Sequence, residues 1–165
     1  MKLNEENFLK ILKGNQGIVL KIVNSYCKDI EDRNDLIQEI TIQLWTSWKS
    51  YNDDYKISTW MYRIALNVAI SFYRKTSRKE NLIDPLNEES ISISSNENID
   101  SSENIKQLYH FISKFNALNK ALILLYLDQY SYEEIASVLG ISKTNVSTKI
   151  SRIKKHLKKE FNLKK

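Results

Sequence analysis

One segment interrupts an otherwise regular helical pattern and divides the chain into two parts. Residues 80–105 (ENLIDPLNEESISISSNENIDSSENI) hold seven acids, six serines and the only proline of the chain, but neither lysine nor arginine. No helical period is sustained there, and this composition is typical of a flexible linker. The alternative is a long surface loop within one domain, but loops of this length are uncommon in compact domains. The sequence therefore predicts two small domains joined by a flexible acidic linker.

Apolar residues recur at helical spacing on both sides of this segment. The 165 residues include only three glycines and one proline, whereas β-rich architectures usually need more of both in their turns. The predicted helices are 4–13, 16–28, 32–48, 59–76, 103–115, 118–128, 132–139 and 143–161. Ser58 precedes the fourth helix and is predicted to cap it. The predicted fold class is all-α, with a helix-turn-helix in the second domain.

The two longest helices before the linker each have a predicted apolar face. On the third helix this face comprises Leu36, Ile37, Ile40, Leu44, Trp45 and Trp48. On the fourth helix it comprises Trp60, Met61, Ile64, Ala65, Val68, Ala69 and Phe72. The single cysteine, Cys27, lies in an apolar-periodic segment, so we expect a buried thiol and no internal disulfide.

Charge is unevenly distributed along the chain. The net charge is +5, with six basic residues and no acid in 55–79 and nine basic residues and one acid in 143–165. Two basic helices, one in each domain, indicate two contacts with one polyanion. The N-terminus shows no signal-peptide core, and the longest apolar run, 121–127, is too short to span a bilayer. We therefore expect a soluble, cytoplasmic protein without a membrane contact.

The stretch YSYEEIASVLGISKTNVSTKISRIKKHLKK, residues 130–159, has the pattern of a helix-turn-helix. Ser131 and Glu134 have the spacing of a capping box, Gly140 suits a left-handed turn, and Ser142 can cap the following helix. Inward positions are predicted at Ile135, Ala136, Leu139, Val146, Ile150, Ile153 and Leu157. In such a motif the second helix lies in the major groove of DNA, and its polar side contacts bases and phosphates. The predicted DNA-contacting residues are Lys143, Thr144, Ser147, Thr148, Ser151, Arg152 and Lys155.

Two stretches of the first domain carry further polar surfaces. In DLIQEITIQLW, residues 35–45, the spacing places Asp35, Gln38 and Glu39 on one exposed face of the third helix. In STWMYRIALNVAISFYRK, residues 58–75, polar and aromatic side chains lie beside the apolar stripe, namely Tyr62, Arg63, Asn67, Tyr73, Arg74 and Lys75. Basic residues mixed with aromatic residues suit a nucleic-acid strand whose bases are unstacked.

Together these three stretches resemble the sigma-70 family of bacterial transcription initiation factors. DLIQE is similar to the family's polymerase-binding motif, residues 58–75 to its promoter-melting helix, and residues 130–157 to its reader of the upstream promoter element. The resemblance covers about 16–76 and 104–160. Because only two domains fit, it points to the short, extracytoplasmic function (ECF) group. The implied domains are 1–78 for sigma region 2, 79–103 for the linker and 104–165 for sigma region 4.

The resemblance implies specific roles for these surfaces. The polymerase-binding residues would be Asp35, Leu36, Gln38 and Glu39, facing the clamp helices of the largest polymerase subunit. The residues that hold and melt the −10 element would be Tyr51, Asn52, Asp53, Lys56, Trp60, Arg63, Asn67, Arg74 and Lys75. The recognition-helix residues given above would read the −35 element, with the second domain near the flap of the second-largest subunit. Asp53 and Asp54 would either select a flipped base or stabilise a turn.

The sequence also departs from the family pattern. Family members often carry arginine at the positions of Thr144 and Ser147, where this chain has small hydroxyls. This leaves open whether the protein reads the −35 element alone or with an accessory factor, and whether an anti-sigma factor controls it. The expected partners are core RNA polymerase and promoter DNA, and the expected location is the cytoplasm, in association with the nucleoid.

Three other classes of function compete with this interpretation. An autonomous helix-turn-helix regulator would bind operators without polymerase, but it leaves the DLIQE face unexplained. A helical interaction protein would leave both basic helices unexplained and predicts no salt-dependent DNA binding. An enzyme is disfavoured because His110 and His156 lie in different predicted helices, and the sequence has no metal-ligand cluster, phosphate loop or nucleophile motif. No cofactor and no catalytic residue are predicted.

Overall fold

A computed structural model describes residues 4–80 and 103–162, with side chains described for 4–78 and 103–160. Two compact units divide the chain. The first unit contains α1 (Glu5–Gly14), α2 (Gln16–Tyr26), α3 (Ile30–Trp48) and α4 (Ile57–Glu80). The second contains α5 (Glu103–Ser113), α6 (Ala117–Leu127), α7 (Tyr132–Leu139) and α8 (Lys143–Asn162). Since all regular elements in these ranges are helices, the predicted all-α fold with two helical domains is confirmed.

The core of the first unit lies where α2, α3 and α4 pack against one another. On α3, the fully buried residues recur every four positions, at Leu36, Ile40, Leu44 and Trp48. This spacing places them along one stripe of a helix. Cys27 is buried as predicted and ends α2 in an extended conformation, two residues before Asp29 caps α3. The Asp29 carboxylate accepts the backbone N–H of Asp32 at 2.8 Å.

Helix α4 differs from its prediction in its start and in its buried face. It begins at Ile57, and the Trp60 N–H donates to the Lys56 carbonyl, so Ser58 lies inside the first turn and the predicted Ser58 cap is wrong. Tyr62, predicted beside the stripe, is 1% exposed, and Leu66 is also buried. The reason is that α4 packs against both α2 and α3, which requires a wider apolar face than one neighbouring helix would.

Helix α1 covers the aromatic end of α3. The Phe8 ring meets the Trp45 ring edge-on, with centroids 4.9 Å apart, and lies 5.9 Å from that of Trp48. The Trp48 indole N–H donates to the carbonyl of Asn4, which caps α1. Trp45 was predicted to be in the core, but it is 42% exposed because α1 shields only one side of it.

In the second unit, α6 is the central helix and packs against α5, α7 and α8. Residues 121–125 of α6 are all buried, because three neighbouring helices surround it. Val146, Ile150 and Ile153 of α8 are buried as predicted. On α7, Ile135 and Val138 form the buried pair, whereas the predicted inward residues Ala136 and Leu139 are half-buried.

The helix-turn-helix contains all three predicted capping features. Ser131 and Glu134 form the capping box: the Ser131 hydroxyl accepts the Glu134 N–H, and the Glu134 carboxylate accepts the Ser131 N–H at 2.8 Å. Gly140 adopts the left-handed conformation with φ 67°, which a side chain would strain. The Ser142 hydroxyl accepts the Asn145 N–H at 3.1 Å, so it caps α8. Local chemistry therefore fixes both ends of the turn.

Replacing Ser131 with alanine should cost about 1 kcal/mol of stability in the second unit, because the Glu134 N–H in the first turn of α7 loses the hydroxyl that caps it. All three tryptophans lie in the first unit, at 45, 48 and 60. Urea unfolding can therefore be followed by tryptophan fluorescence for the first unit and by circular dichroism for both. We expect Ser131→Ala to shift only the urea midpoint measured by circular dichroism. Ser131→Thr should return that midpoint to the wild-type value. A shift in the urea midpoint measured by fluorescence would show that the substitution also changes the stability of the first unit.

The predicted linker falls mostly on residues 81–102, which lie outside the described residues. At its ends, residues 79 and 80 continue α4 and Glu103 begins α5, so the described helices extend into the predicted range 79–103. The domain boundaries at 78 and 104 stay predictions.

Candidate polymerase-binding and nucleic-acid surfaces

The acidic face of α3 lies opposite its buried stripe. Asp35, Gln38 and Glu39 are exposed, as predicted. Leu36 is 0% exposed and packs in the core. It cannot contact a partner on this surface, so its predicted place among the polymerase-binding residues is wrong. Ile42 is also exposed, one turn further along the same side of the helix, so the acidic face continues into an apolar side chain.

The loop between α3 and α4 is built on an aromatic cluster. The Tyr51 ring stacks on Trp48, with centroids 5.5 Å apart, and meets Trp60 edge-on at 5.2 Å. Its hydroxyl donates to the Tyr55 carbonyl at 2.8 Å. Burial, and then the charge of Asp53, raise the pKa of Tyr51. Tyr51 and Trp60 therefore hold the loop as well as lying at the predicted −10 surface.

Polar contacts within this loop bear on the two aspartates. The Asn52 amide donates to the Asp54 carboxylate at 2.8 Å, which is a bond within the turn. Asn52 and Asp53 are exposed, as is the Tyr55 ring, with the Arg63 guanidinium 5.6 Å from its centroid. The Asp54 contact favours the turn role for that residue. Base selection by Asp53 stays a prediction, which base substitution with Asp53→Ala would test.

One face of α4 carries a basic stripe. Three of the predicted −10 residues on this helix project in nearly the same direction at a period of 3.6 residues per turn, namely Arg63, Asn67 and Arg74, and Lys56 immediately precedes the helix. Arg63 is half-buried and the other three are exposed. Lys75 is exposed about 100° further around the helix. The stripe lacks acids along its length, so it can follow the backbone of an anionic strand.

The predicted contact residues of α8 lie together on its exposed side. All seven are exposed, opposite Val146, Ile150 and Ile153. Lys143 forms an ion pair with Glu133 of α7, and this hydrogen bond lowers the pKa of the Glu133 carboxyl. The Thr148 hydroxyl donates to the Thr144 carbonyl at 3.0 Å. A phosphate contact by Lys143 would therefore have to compete with Glu133.

Comparison with known proteins identifies the family. Residues 11–79 match Sigma-70 region 2, and residues 106–157 match Sigma-70, region 4. The ECF RNA polymerase sigma-E factor of Escherichia coli strain K12 is 30% identical over 148 residues, covering 83% of this chain and 77% of that protein. The chain belongs to the sigma-70 family, in its ECF group. It is therefore an RNA polymerase sigma factor, a transcription initiation factor for promoter recognition.

Two solved structures share the fold of this ECF sigma factor. CnrH in complex with the cytosolic domain of CnrY has a TM-score of 0.68 at 19% identity, covering 98% of this chain and 92% of that one. The sigma factor RpoE from Bartonella quintana, in complex with the anti-sigma factor NepR, has a TM-score of 0.67 at 18% identity, covering 98% of both chains. The α3 face and the α4 stripe fall in the region 2 match, and the α8 face falls in the region 4 match.

Two contributions to these surfaces were not anticipated from the sequence. Arg78 is exposed and follows Arg74 by four residues, so it extends the α4 stripe by one turn. The i, i+4 spacing from Arg74 would have been enough to predict that Arg78 belongs to the stripe. Lys154 of α8 lies 4.6 Å from the centroid of the Tyr126 ring on α6. Nothing in the local sequence indicates that contact, because the two residues are 28 positions apart.

The described residues contain neither a membrane-spanning candidate nor a metal-binding cluster. Among residues 4–80 and 103–162, no helix combines the length and the hydropathy needed to cross a bilayer. In the same ranges, no group of three or more histidine, cysteine or acidic side chains is placed to hold a metal ion. His110 and His156 are both exposed, and His156 meets the Phe115 ring edge-on at 6.2 Å.

Proposed function

We propose that this ECF sigma factor divides its work among three surfaces. The acidic face of α3, with Asp35, Gln38 and Glu39, binds the clamp helices of the largest polymerase subunit. The α4 stripe and the loop before it hold and open the −10 element. The exposed side of α8 reads the −35 element while the second unit binds the flap of the second-largest subunit.

The observation that best supports this assignment is the basic stripe of α4. From Lys56 to Arg78 it runs for about 33 Å at 1.5 Å per residue, which is long enough to follow several nucleotides. It begins beside the aromatic cluster of the loop, where an unstacked base can meet a ring. Extruding a base costs a few kcal/mol, and aromatic stacking of about 1–3 kcal/mol per base offsets much of that.

The α8 surface supports a more modest role in sequence reading. Its base-facing half offers hydroxyls and one arginine, Arg152, and the first of its lysines is already paired within the protein. Hydroxyls contact more than one base, whereas arginine discriminates guanine well. We therefore propose that −35 recognition depends mainly on Arg152, on phosphate contacts such as Lys155 and on attachment of the protein to polymerase.

The remaining assignments follow from this role. The protein has no chemical step of its own, because the polymerase forms the phosphodiester bonds. It acts in the cytoplasm, where polymerase and the nucleoid are. An anti-sigma factor or an accessory DNA-targeting protein is the further partner to test. The reason is that α8 carries few side chains that discriminate between bases, so either partner could contribute to control or to promoter choice.

Run-off transcription over a promoter library of the same organism tests the proposal, using purified core polymerase with and without the protein. We expect initiation only when the protein is present, and the start sites then define both promoter elements. Tight operator binding with no initiation would favour the autonomous regulator instead. Stable binding to core polymerase with weak DNA binding and no initiation would indicate a sigma factor that needs a partner to find its sites.

A further inference from the structure

Lys154 of α8 places its ammonium group beside an aromatic ring of a neighbouring helix. The Lys154 Nζ is 4.6 Å from the centroid of Tyr126, at the end of α6. The Tyr126 ring lies 6.5 Å from that of Tyr132, the first residue of α7. All three side chains are half-buried. This lysine therefore connects three helices of the second unit at one point.

The electrostatics of Lys154 agree with this geometry. Its hydrogen bond to Tyr126 is the largest cause of a raised pKa at Lys154, with a smaller contribution from Tyr132 and an opposing one from burial. Lys155, the next residue, is exposed about 100° further around the helix, on the side of the predicted DNA contacts. Two adjacent lysines thus have different surroundings, one facing the protein and one facing outward.

Lys154 also shares an edge of α8 with Lys143. The two residues are eleven positions apart, close to three full turns. Lys143 pairs with Glu133, and Lys154 lies over the Tyr126 ring, which in turn lies against Tyr132; Tyr132 and Glu133 are consecutive residues in the first turn of α7. The segment that carries Ser147 and Arg152 lies between the two attachments. Together they restrict rotation of α8 about its own axis.

We propose that Lys154 is a positioning residue for −35 recognition, which it serves through Tyr126 and Tyr132 without touching DNA. This inference rests on the proposed function of α8. The contact fixes the rotation of α8 on α6 and α7, and so determines which side chains reach the base edges. Arginine at position 154 would keep the cation beside the ring, whereas methionine would keep only the apolar stem.

The test uses holoenzyme assembled from the full chain and core polymerase, with a promoter selected by the wild-type protein and a copy whose −35 element is scrambled. Lys154→Met should reduce the preference for the intact promoter by about two- to fivefold, the effect of a partly exposed cation–π contact. The slope of log affinity against log salt should stay unchanged. Lys154→Arg should restore the preference. The matched control Lys155→Met should instead weaken both promoters and lower the slope by about one.

Tyr126→Leu provides a second variant, which removes the ring beside the Lys154 ammonium group and keeps an apolar side chain. It should reduce the preference in the same direction as Lys154→Met, with the melting temperature of the second unit measured for both. The proposal is overturned if Lys154→Met and Tyr126→Leu both keep the wild-type preference. It is also overturned if Lys154→Met lowers the salt slope like Lys155→Met, because Lys154 would then be a phosphate contact. Failure of the proposed function is a different result, in which wild-type holoenzyme initiates at no promoter.

Discussion

Replacing Asp35 and Glu39 together with alanine should lower affinity for core polymerase about 100-fold, if each carboxylate forms one close charge pair worth about 1.5 kcal/mol. Both side chains are exposed on α3 and face away from its buried stripe. The substitutions remove charge without removing core packing, so the fold should be retained. Run-off transcription at limiting protein should fall by a similar factor, and excess protein should partly restore it.

A double variant at the start of α1 provides the matched control. Glu5→Ala with Glu6→Ala removes the same two negative charges from exposed positions of the same unit. Their loss costs only a few tenths of a kcal/mol per residue through the dipole of α1. Core binding should therefore stay close to wild type. Equal losses in the two double variants would mean that net charge, and not the α3 face, governs polymerase binding. Full activity in both would refute the assignment of this face.

Features encoded by a few neighbouring residues were predictable from the sequence. The capping box of α7, the left-handed Gly140 and the Ser142 cap all lie within twelve consecutive residues, 131–142, and each was confirmed. The buried stripe of α8 was also predictable from its helical spacing, at Val146, Ile150 and Ile153. In these cases the side-chain chemistry and the helical period carry the whole signal.

Features that depend on how helices surround one another were not predictable. Tyr62 has a polar hydroxyl and was expected beside the stripe, but α2 and α3 enclose α4 from two sides and bury it. Trp45 was expected in the core, but α1 covers only one side of its ring. The pairing of Lys143 with Glu133, and that of Lys154 with Tyr126, likewise requires the crossing geometry of separate helices. Sequence spacing therefore predicts which site residues lie on the surface. Tertiary packing decides which of the cations already interact with another side chain of the protein.

The same packing argument makes Trp48 the residue whose loss should be most damaging to the first unit. Trp48 is 1% exposed and its ring contacts Phe8, Tyr51 and Trp60. Trp48→Ala removes a large buried ring and leaves a cavity, which typically costs about 3–5 kcal/mol. A small domain has only about 5–15 kcal/mol of stability in total, so this is a large fraction. Urea unfolding followed by circular dichroism, with the fluorescence of the remaining Trp45 and Trp60 as the reporter for this unit, measures the loss.

Trp45→Ala is the matched control, because it removes the same side chain from a more exposed site on the same helix. Trp45 has one aromatic contact, with Phe8. Removal of the Trp45 side chain should therefore cost about 0.5–1.5 kcal/mol for that contact, plus the free energy gained by burying part of its surface.

The two variants also separate stability from promoter opening. Tyr51 stacks on Trp48 and its hydroxyl anchors Tyr55, so Trp48→Ala should loosen the loop at temperatures where the unit remains folded. Opening of the −10 element, followed by permanganate reactivity of unpaired thymines, should then fall in Trp48→Ala and persist in Trp45→Ala. Equal opening in both folded variants would show that the loop does not need its aromatic base to act on DNA.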